Sequence, residues 1–411
     1  MEERSEVETV QGGSGVARSR WLPVVGFALV SSANQMLWLD FAPITTGVAT
    51  RLGVSSSSVG LLAEVFPVVY VVLALPAGLA LDRWFRPTLA LGALLTAAGA
   101  AIRLAGPGFA PILVGQVVVA LAQPAVLTAV TGIATRSLLP ADRPAGIAVG
   151  SAGTFLGFVA AFVLGLACGA SHLHLLLVIA AAYSVAGALV LLPALRLVAA
   201  TGGGPVVGAN REALRSVWSD PVVRCVCWLV FAGFGVFVAL TTWLQTLLAP
   251  AGVSARGADG MLVAMVGAGI VTAVALPPAV AARARQPLLL AVAGVASFAA
   301  LVLLALSPGT GVGYAGLGVV GLVLLPALPV LLELLETRCG AHAGAATALL
   351  WLAGNAGGVV IALGVQAVVS AGATSFTLMA LVALAALPLA RQLAVRLRAE
   401  RTGTALGARP G

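Results

Sequence analysis

Charge is what this sequence has least of. Asp, Glu, Lys and Arg together make up 9% of the 411 residues, and lysine is absent altogether. A soluble chain carries roughly a quarter of its residues charged, so a water-facing globular fold is excluded. Histidine occurs three times, at His172, His174 and His342, and cysteine four times, at Cys168, Cys225, Cys227 and Cys339. The histidines fall in short loops, and Cys225 and Cys227 form a C-x-C with no second pair at zinc spacing. Neither a metal centre nor a nucleophile–base set can be assembled from them, so the sequence predicts no enzyme and no cofactor. The cysteines read as apolar packing residues. With no lysine there is no phosphate-binding G-x-x-x-x-G-K-[ST] loop, which excludes ATP as the energy source. The net charge of +8 comes wholly from arginine, in short loops and tails rather than on one folded face, which excludes nucleic-acid binding.

Apolar residues make up 60% of the chain, and the mean hydropathy is +1.09. They come in blocks of about 20 residues, the length an α-helix needs to cross the hydrocarbon core. Without water to satisfy backbone amides, such blocks must be helical. The strands of a membrane barrel would alternate apolar and polar residues over about ten positions, and these blocks do not. Twelve spans are predicted, at 22–46, 58–81, 87–105, 109–134, 145–168, 174–197, 222–248, 258–280, 286–307, 311–336, 343–370 and 373–394. The fold class is therefore all-α, with two six-helix bundles at 21–198 and 221–394. A disordered polar tail is expected over 1–20, a cytoplasmic linker over 199–220 and a second cytoplasmic tail over 395–411. No short apolar core with a cleavage site follows the first tail; a full-length span does.

Arginine placement tests this topology. With both termini cytoplasmic, nineteen arginines fall inside and only Arg51, Arg103 and Arg256 outside, as the positive-inside rule requires. The halves also repeat faintly. A shift of 202 residues lays Pro124-Ala125 over Pro326-Ala327 and Thr135-Arg136 over Thr337-Arg338. Two repeated halves are what a rocker-switch carrier needs.

Between the second and third spans runs Gly78-Leu-Ala-Leu-Asp82-Arg83-Trp-Phe-Arg86. This resembles the loop signature of the major facilitator superfamily, with Phe85 in place of the usual glycine. The resemblance implies a twelve-helix fold of two halves, with Asp82 facing the N-terminus of the eleventh helix, a position that favours a carboxylate. The second-half counterpart, Ala-Arg283-Ala-Arg285-Gln-Pro, has no acid. Within the superfamily, Asn34-Gln-Met-Leu-Trp38-Leu-Asp40-Phe-Ala-Pro-Ile44, Gly115-Gln116, Ala122-Gln123-Pro124 and Leu325-Pro326 leading to Glu333 and Glu336 resemble one branch. It is the feline leukaemia virus subgroup C receptor-related branch of choline, ethanolamine and haem transporters. That resemblance implies that Trp38 stacks on a quaternary ammonium while Gln123 and Asn355 line the pocket; the branch's seventh-span tyrosine is Val238 here.

Polar groups at membrane depth are costly and mark cavities or partners. Asp40 and Glu64 are candidates to take up a proton or attract a cation, or else to pair with Arg103 or reach the outer headgroups. Trp38 is placed for cation–π contact or for the interfacial belt. Of Asn34 and Gln35, one is expected to face the cavity and the other to pack between helices. Gln123, just before a helix-kinking proline, is expected in the cavity, with Trp243 or Gln245 supplying the wall missing at Val238. Asn355 serves either the site or a helix–helix hydrogen bond. Gly78, Asp82, Arg83, Arg86, Arg136 and Glu336 form the expected gate set, with Arg338 the charge partner of Glu333 and Glu336. Gly146, Gly150, Gly153 and Gly157 predict a close helix contact. The third, sixth, ninth and twelfth spans, almost free of polar groups, are expected to face lipid.

The expectation is a monomeric multi-pass protein of the plasma or inner membrane. It moves a small organic solute by alternating access, without ATP, with a choline-like cation as substrate. The alternative is a proton-coupled exporter of drug-like or other small metabolites, with Asp40 as the protonation site. Expected partners are that solute, membrane lipids and a coupling proton or cation.

Overall fold

The computed structural model describes the backbone of residues 2–198, 211–283 and 285–407; side chains are described between 20 and 400, apart from the gap and a few positions, Glu336 among them. The described residues are almost wholly helical: α1 (Glu2–Leu39), α2 (Thr45–Leu52), α3 (Ser56–Arg83), α4 (Phe85–Ile102), α5 (Phe109–Thr128), α6 (Val130–Ser137), α7 (Arg143–Cys168), α8 (Leu173–Ala194), α9 (Arg211–Ser219), α10 (Pro221–Leu248), α11 (Ala255–Ala282), α12 (Gln286–Leu306), α13 (Thr310–Leu324), α14 (Ala327–Cys339), α15 (Ala343–Ala367) and α16 (Gly372–Gly407). Twelve helical stretches are long and apolar enough to cross a membrane, as expected. An even count between them puts both termini and the linker on one membrane face, here called the linker face.

Three spans are interrupted. The first breaks after Leu39, passes through a 3₁₀ turn at Ala42–Ile44 and resumes as α2, reaching Leu52 rather than residue 46. The fourth breaks at Ala129 and the tenth at Leu325-Pro326. Pro326 removes a helical donor and crowds the preceding turn, which ends α13 there, whereas Pro124 lies inside α5 and the break at Ala129 comes five residues after it. At the ends, α1 continues back along the backbone to Glu2, through the segment expected to be a disordered tail; the side chains of residues 1–19 lie outside the described residues. Within the expected linker, 199–210 lie outside the described backbone, while Arg211–Ser219 form α9.

The chain forms two compact units. The first comprises Met1–Asp40, Arg51–Val54 and Val72–Asn210; the second comprises Phe41–Thr50, Ser55–Val71 and Arg211–Gly411. Phe41–Thr50 of the first span and the start of α3 thus belong to the second unit rather than to the first.

In the first unit α1 packs on α7 and α8, and α4 on α5 and α8. Its core joins Phe27 and Val30 of α1 to Leu89 of α4, Val126 of α5, Ile133 of α6 and Leu191 of α8. The glycine stripe brings α7 onto α1: a Cβ at Gly157 would stand 2.3 Å from the Ser32 carbonyl oxygen, and one at Gly153 2.6 Å from that of Ala28. In the second unit α10 packs on α15, α12 on α16 and α13, and α11 on α13. The pairs span 1–span 5, span 3–span 4 and span 3–span 6 recur as span 7–span 11, span 9–span 10 and span 9–span 12, in keeping with a repeat. Leu91 and Leu94 of α4, Leu189 of α8, Leu306 of α12 and Val395 of α16 are exposed apolar residues, as lipid-facing spans require. The second and fifth spans are as open as these, which their sequences did not indicate.

Candidate functional site

Helix ends create part of the polar chemistry in the first unit. The last four carbonyls of a helix have no partner within it, and α1 stops at Leu39 inside the membrane. One of these carbonyls, Leu37 O, accepts from Gln116 Nε2 of α5 at 2.7 Å. Asp40 follows at the break. Its Oδ2 accepts from Arg103, in the last turn of the third span, at 2.6 Å, and both side chains are fully buried. Arg103 caps the C-terminal end of α4, where a cation is favoured. Of the alternatives for Asp40, the pair with Arg103 is present.

Asn34 ties three helices. Its Nδ2 donates to Thr96 Oγ1 of α4 at 3.3 Å and to Val119 O of α5 at 3.2 Å. Its Oδ1 accepts from Gln35 Nε2 at 3.2 Å. Asn34 is thus the packing member of the pair. Gln35 is equally buried, yet its Oε1 finds no hydrogen-bond partner. Gln123 goes further: the side chain is fully buried and neither amide atom is hydrogen-bonded. Trp38 is enclosed at 2% exposure, its ring edge-on to Phe158 of α7 at 5.8 Å.

In the second unit a polar cluster draws on spans 1, 2, 7 and 8. Thr242 Oγ1 of α10 donates to Glu64 Oε1 of α3 at 2.5 Å. Gln245, one turn on, donates through Nε2 to Asp259 of α11 and accepts through Oε1 from Thr46 of α2. Both carboxylates therefore meet neutral donors. Asp259 was not among the expected residues. The available signal was an acid in the first turns of a predicted span, which reads equally well as a headgroup-level residue. Gln245 shares the helix face of Val238, two turns away, whereas Trp243 points about 140° from it at 100° per residue. Of the two residues expected to supply the wall, Gln245 is therefore the one on the Val238 face, and Val238 itself packs toward Gly358 of α15. The Trp243 indole N–H is buried without a partner. Asn355 donates to its own helix at Trp351 O, 2.8 Å away, and leaves Oδ1 without a partner.

On the linker face, Gly78 is buried and Asp82 and Arg136 attract one another. Arg136 lies 4.3 Å from the centre of the Phe85 ring. Burial lowers the Arg136 pKa, and Asp82 partly restores it. The Phe85 that replaces the signature glycine therefore gives Arg136 a cation–π surface. Arg83 sits 5.0 Å over Trp84, and Arg86 is half-buried with Nε unpaired. The expectation for Arg338 is corrected. It pairs with Asp220 at 2.5 Å and Glu400 at 2.8 Å; Glu333 is exposed and makes no ion pair with it among the described residues, and the Glu336 side chain lies outside them. Asp220 also caps α10 by accepting from Val222 N at 2.7 Å. Burial raises its pKa, but the Arg338 and Val222 hydrogen bonds outweigh burial and hold the carboxyl below its usual range.

Comparison with known proteins sets these sites in a family. Among curated relatives, the chain is 28% identical over 263 residues to Solute carrier family 49 member A3 of Danio rerio, covering 58% of this chain and 54% of that protein. It is 29% identical over 168 residues to the uncharacterized MFS-type transporter C09D4.1 of Caenorhabditis elegans, 40% of this chain and 28% of the relative. It is 30% identical over 112 residues to the human choline/ethanolamine transporter FLVCR2, 26% of this chain and 21% of the relative. The matched segments thus span about half or less of these relatives. Solved structures share the fold: the human organic anion transporter MFSD10 at TM-score 0.66, 18% identity, 90% of this chain and 99% of the other. The fucose:proton symporter FucP of E. coli follows at TM-score 0.64, 16% identity, 91% of this chain and 98% of the other. The family model described as Major Facilitator Superfamily matches residues 24–362. With twelve spans, the Asp82 loop and this match, the chain is a multi-pass membrane protein belonging to the Major Facilitator Superfamily, whose members are transporters rather than enzymes.

Proposed function

We propose that this protein carries a small organic solute across the cell membrane by alternating access, with the halves 21–198 and 221–394 opening it first to one side and then to the other. The linker and both termini lie in the cytoplasm, and the working unit is the monomer. The observation that carries this reading is a set of buried amide atoms with no protein partner in spans 1 and 4 of the first unit: Gln35 Oε1 and both polar atoms of Gln123. Leaving such a group unpaired costs roughly 1–3 kcal/mol. A solute with its own donors and acceptors removes that cost while bound.

A choline-like cation fits best. In the second unit two half-buried carboxylates, Glu64 and Asp259, are held by neutral donors. The first half offers Trp38 and an amide set suited to a hydroxyl group. The similarity to a choline/ethanolamine transporter runs in the same direction. Labelled choline uptake into proteoliposomes tests this: uptake saturates, falls at least about tenfold in Trp38→Ala, and largely survives in Trp38→Phe, which keeps a π face. Loss in both variants with unchanged folding argues against ring-face recognition.

A second reading is favoured by the same carboxylates. Asp40 is held by Arg103, so a coupling proton falls to Glu64 or Asp259 rather than to Asp40. Transport is then accelerated by a pH gradient, and Glu64→Gln with Asp259→Asn abolishes that acceleration. Indifference of the wild type to the gradient rules it out.

A further inference from the structure

The linker-face end of the seventh span carries a basic and aromatic surface that the transport reading does not use. On α9, Ala213 and Val217 are buried, four residues apart as one helix face requires. The helix packs with α10 and α15. This seating turns Arg215 and Trp218, three residues apart and therefore neighbours, toward the surface, with Trp218 41% exposed. Arg224 stands in the first turns of α10, also exposed. Its guanidinium donates to the Trp218 and Ser219 carbonyls at 3.2 and 3.4 Å. It therefore sits over the C-terminal end of α9 and neutralises the negative end of that helix. One turn further, on the Arg224 face, Trp228 is 51% exposed. The carboxylates near this junction, Asp220 and Glu400, are both bound to Arg338. Glu212 of α9 forms no ion pair with Arg215 among the described residues.

We propose that the junction of α9 and α10 seats the headgroup of an anionic phospholipid, with Arg215 and Arg224 gripping its phosphate and Trp218 and Trp228 bracketing it at headgroup depth. The position favours a lipid over any soluble partner. α9 directly precedes a membrane span, so this surface lies at the membrane boundary. Tryptophan concentrates at that depth, and arginine forks match phosphate oxygens. The bound lipid ties the end of the linker to the membrane at the foot of the seventh span.

The test uses the full chain, purified and exchanged into phosphatidylcholine nanodiscs or micelles with graded phosphatidylglycerol. Native mass spectrometry then counts the retained lipids, and thermal melting gives a parallel readout. The wild type retains phosphatidylglycerol at least about tenfold over phosphatidylcholine and melts higher in its presence. Arg215→Gln combined with Arg224→Gln brings retention of the two lipids within about twofold and removes the rise in melting temperature. Arg215→Gln alone, which leaves the α9 cap intact, gives part of that loss. Arg391→Gln, an exposed arginine of α16 on the same membrane face, leaves retention unchanged. Equal retention of both lipids by the wild type overturns the proposal, as does an equal loss in Arg391→Gln. The same stabilisation by inorganic phosphate alone also overturns it, since that marks a free-phosphate site.

Discussion

A buried ion pair such as Asp40–Arg103 is a net gain only while both members are present. Taking two charges out of water costs several kcal/mol each, and their mutual attraction returns that cost only when the geometry is good. Here the contact is 2.6 Å with neither side chain exposed. Asp40→Asn or Arg103→Leu alone leaves one uncompensated charge and is expected to cost about 3–5 kcal/mol. The double change to Asn and Leu recovers most of that loss in denaturation of the purified protein. Additive losses would show that the pair is not a unit. Gln123 predicts the opposite pattern. Its amide has no partner to lose, so Gln123→Leu keeps or raises the melting temperature while transport falls about tenfold or more, one hydrogen bond's worth. A variant that transports normally takes Gln123 out of the site. At this scale the sequence revealed which polar side chains lie at membrane depth, but not what they meet. Gln116 meets the Leu37 carbonyl because α1 ends at Leu39, and no local pattern places that end. Asp259 escaped notice because its hydrogen-bond donor, Gln245, comes from span 7.

Broken and closely packed helices define the next scale. The interruption of span 10 at Leu325 follows from Pro326, whereas span 4 runs through Pro124 and breaks only at Ala129, which no local pattern placed. The break after Leu39 was not legible either, because Pro43 comes four residues later and the segment is otherwise strongly apolar. Close packing can be tested on a single helix. In α13, a Cβ at Gly321 would stand 1.8 Å from the Met265 carbonyl oxygen, while one at Gly318 would meet nothing within 4 Å. Gly321→Ala forces α11 and α13 apart, at a cost of about 1–3 kcal/mol as for other overpacked sites. Gly318→Ala is neutral or stabilising by up to about 1 kcal/mol. Equal effects on melting temperature would contradict the observed helix contact. The tie of Asp220 and Arg338 gives a pH prediction. The folded carboxyl titrates below the ordinary aspartate value of about 3.9, so the stability it confers is complete above that value and is lost only as pH falls through the lower folded value. Asp220→Asn preserves the cap and removes the charge, at about 1 kcal/mol for a partly exposed pair. The gap in melting temperature between wild type and variant therefore holds as pH falls to about 4 and closes only below it. A gap that closes near pH 5 would show that Arg338 does not hold the carboxyl.

For the whole molecule, two constraints carried most of the information. Span length and arginine placement, which the bilayer imposes, yielded twelve crossings, and the Asp82 loop, a contiguous motif, yielded the superfamily. The packing pairs that recur between halves extend a repeat that the sequence displayed at only a few positions. What remained hidden was the assignment of Phe41–Thr50 in the first span and of the start of α3, which belong with the second unit through Thr46 and Glu64. Hydropathy ranks residues by depth and says little about which helix they touch. The central claim, that this chain is a carrier of a small organic solute, is tested most directly by exchange in proteoliposomes of purified protein. Vesicles preloaded with unlabelled choline are expected to take up labelled choline faster than empty ones, with a rate that saturates. Uptake that rises linearly with concentration and ignores preloading would indicate a pore, and no exchange of any quaternary amine, amino acid or nucleoside would contradict the account.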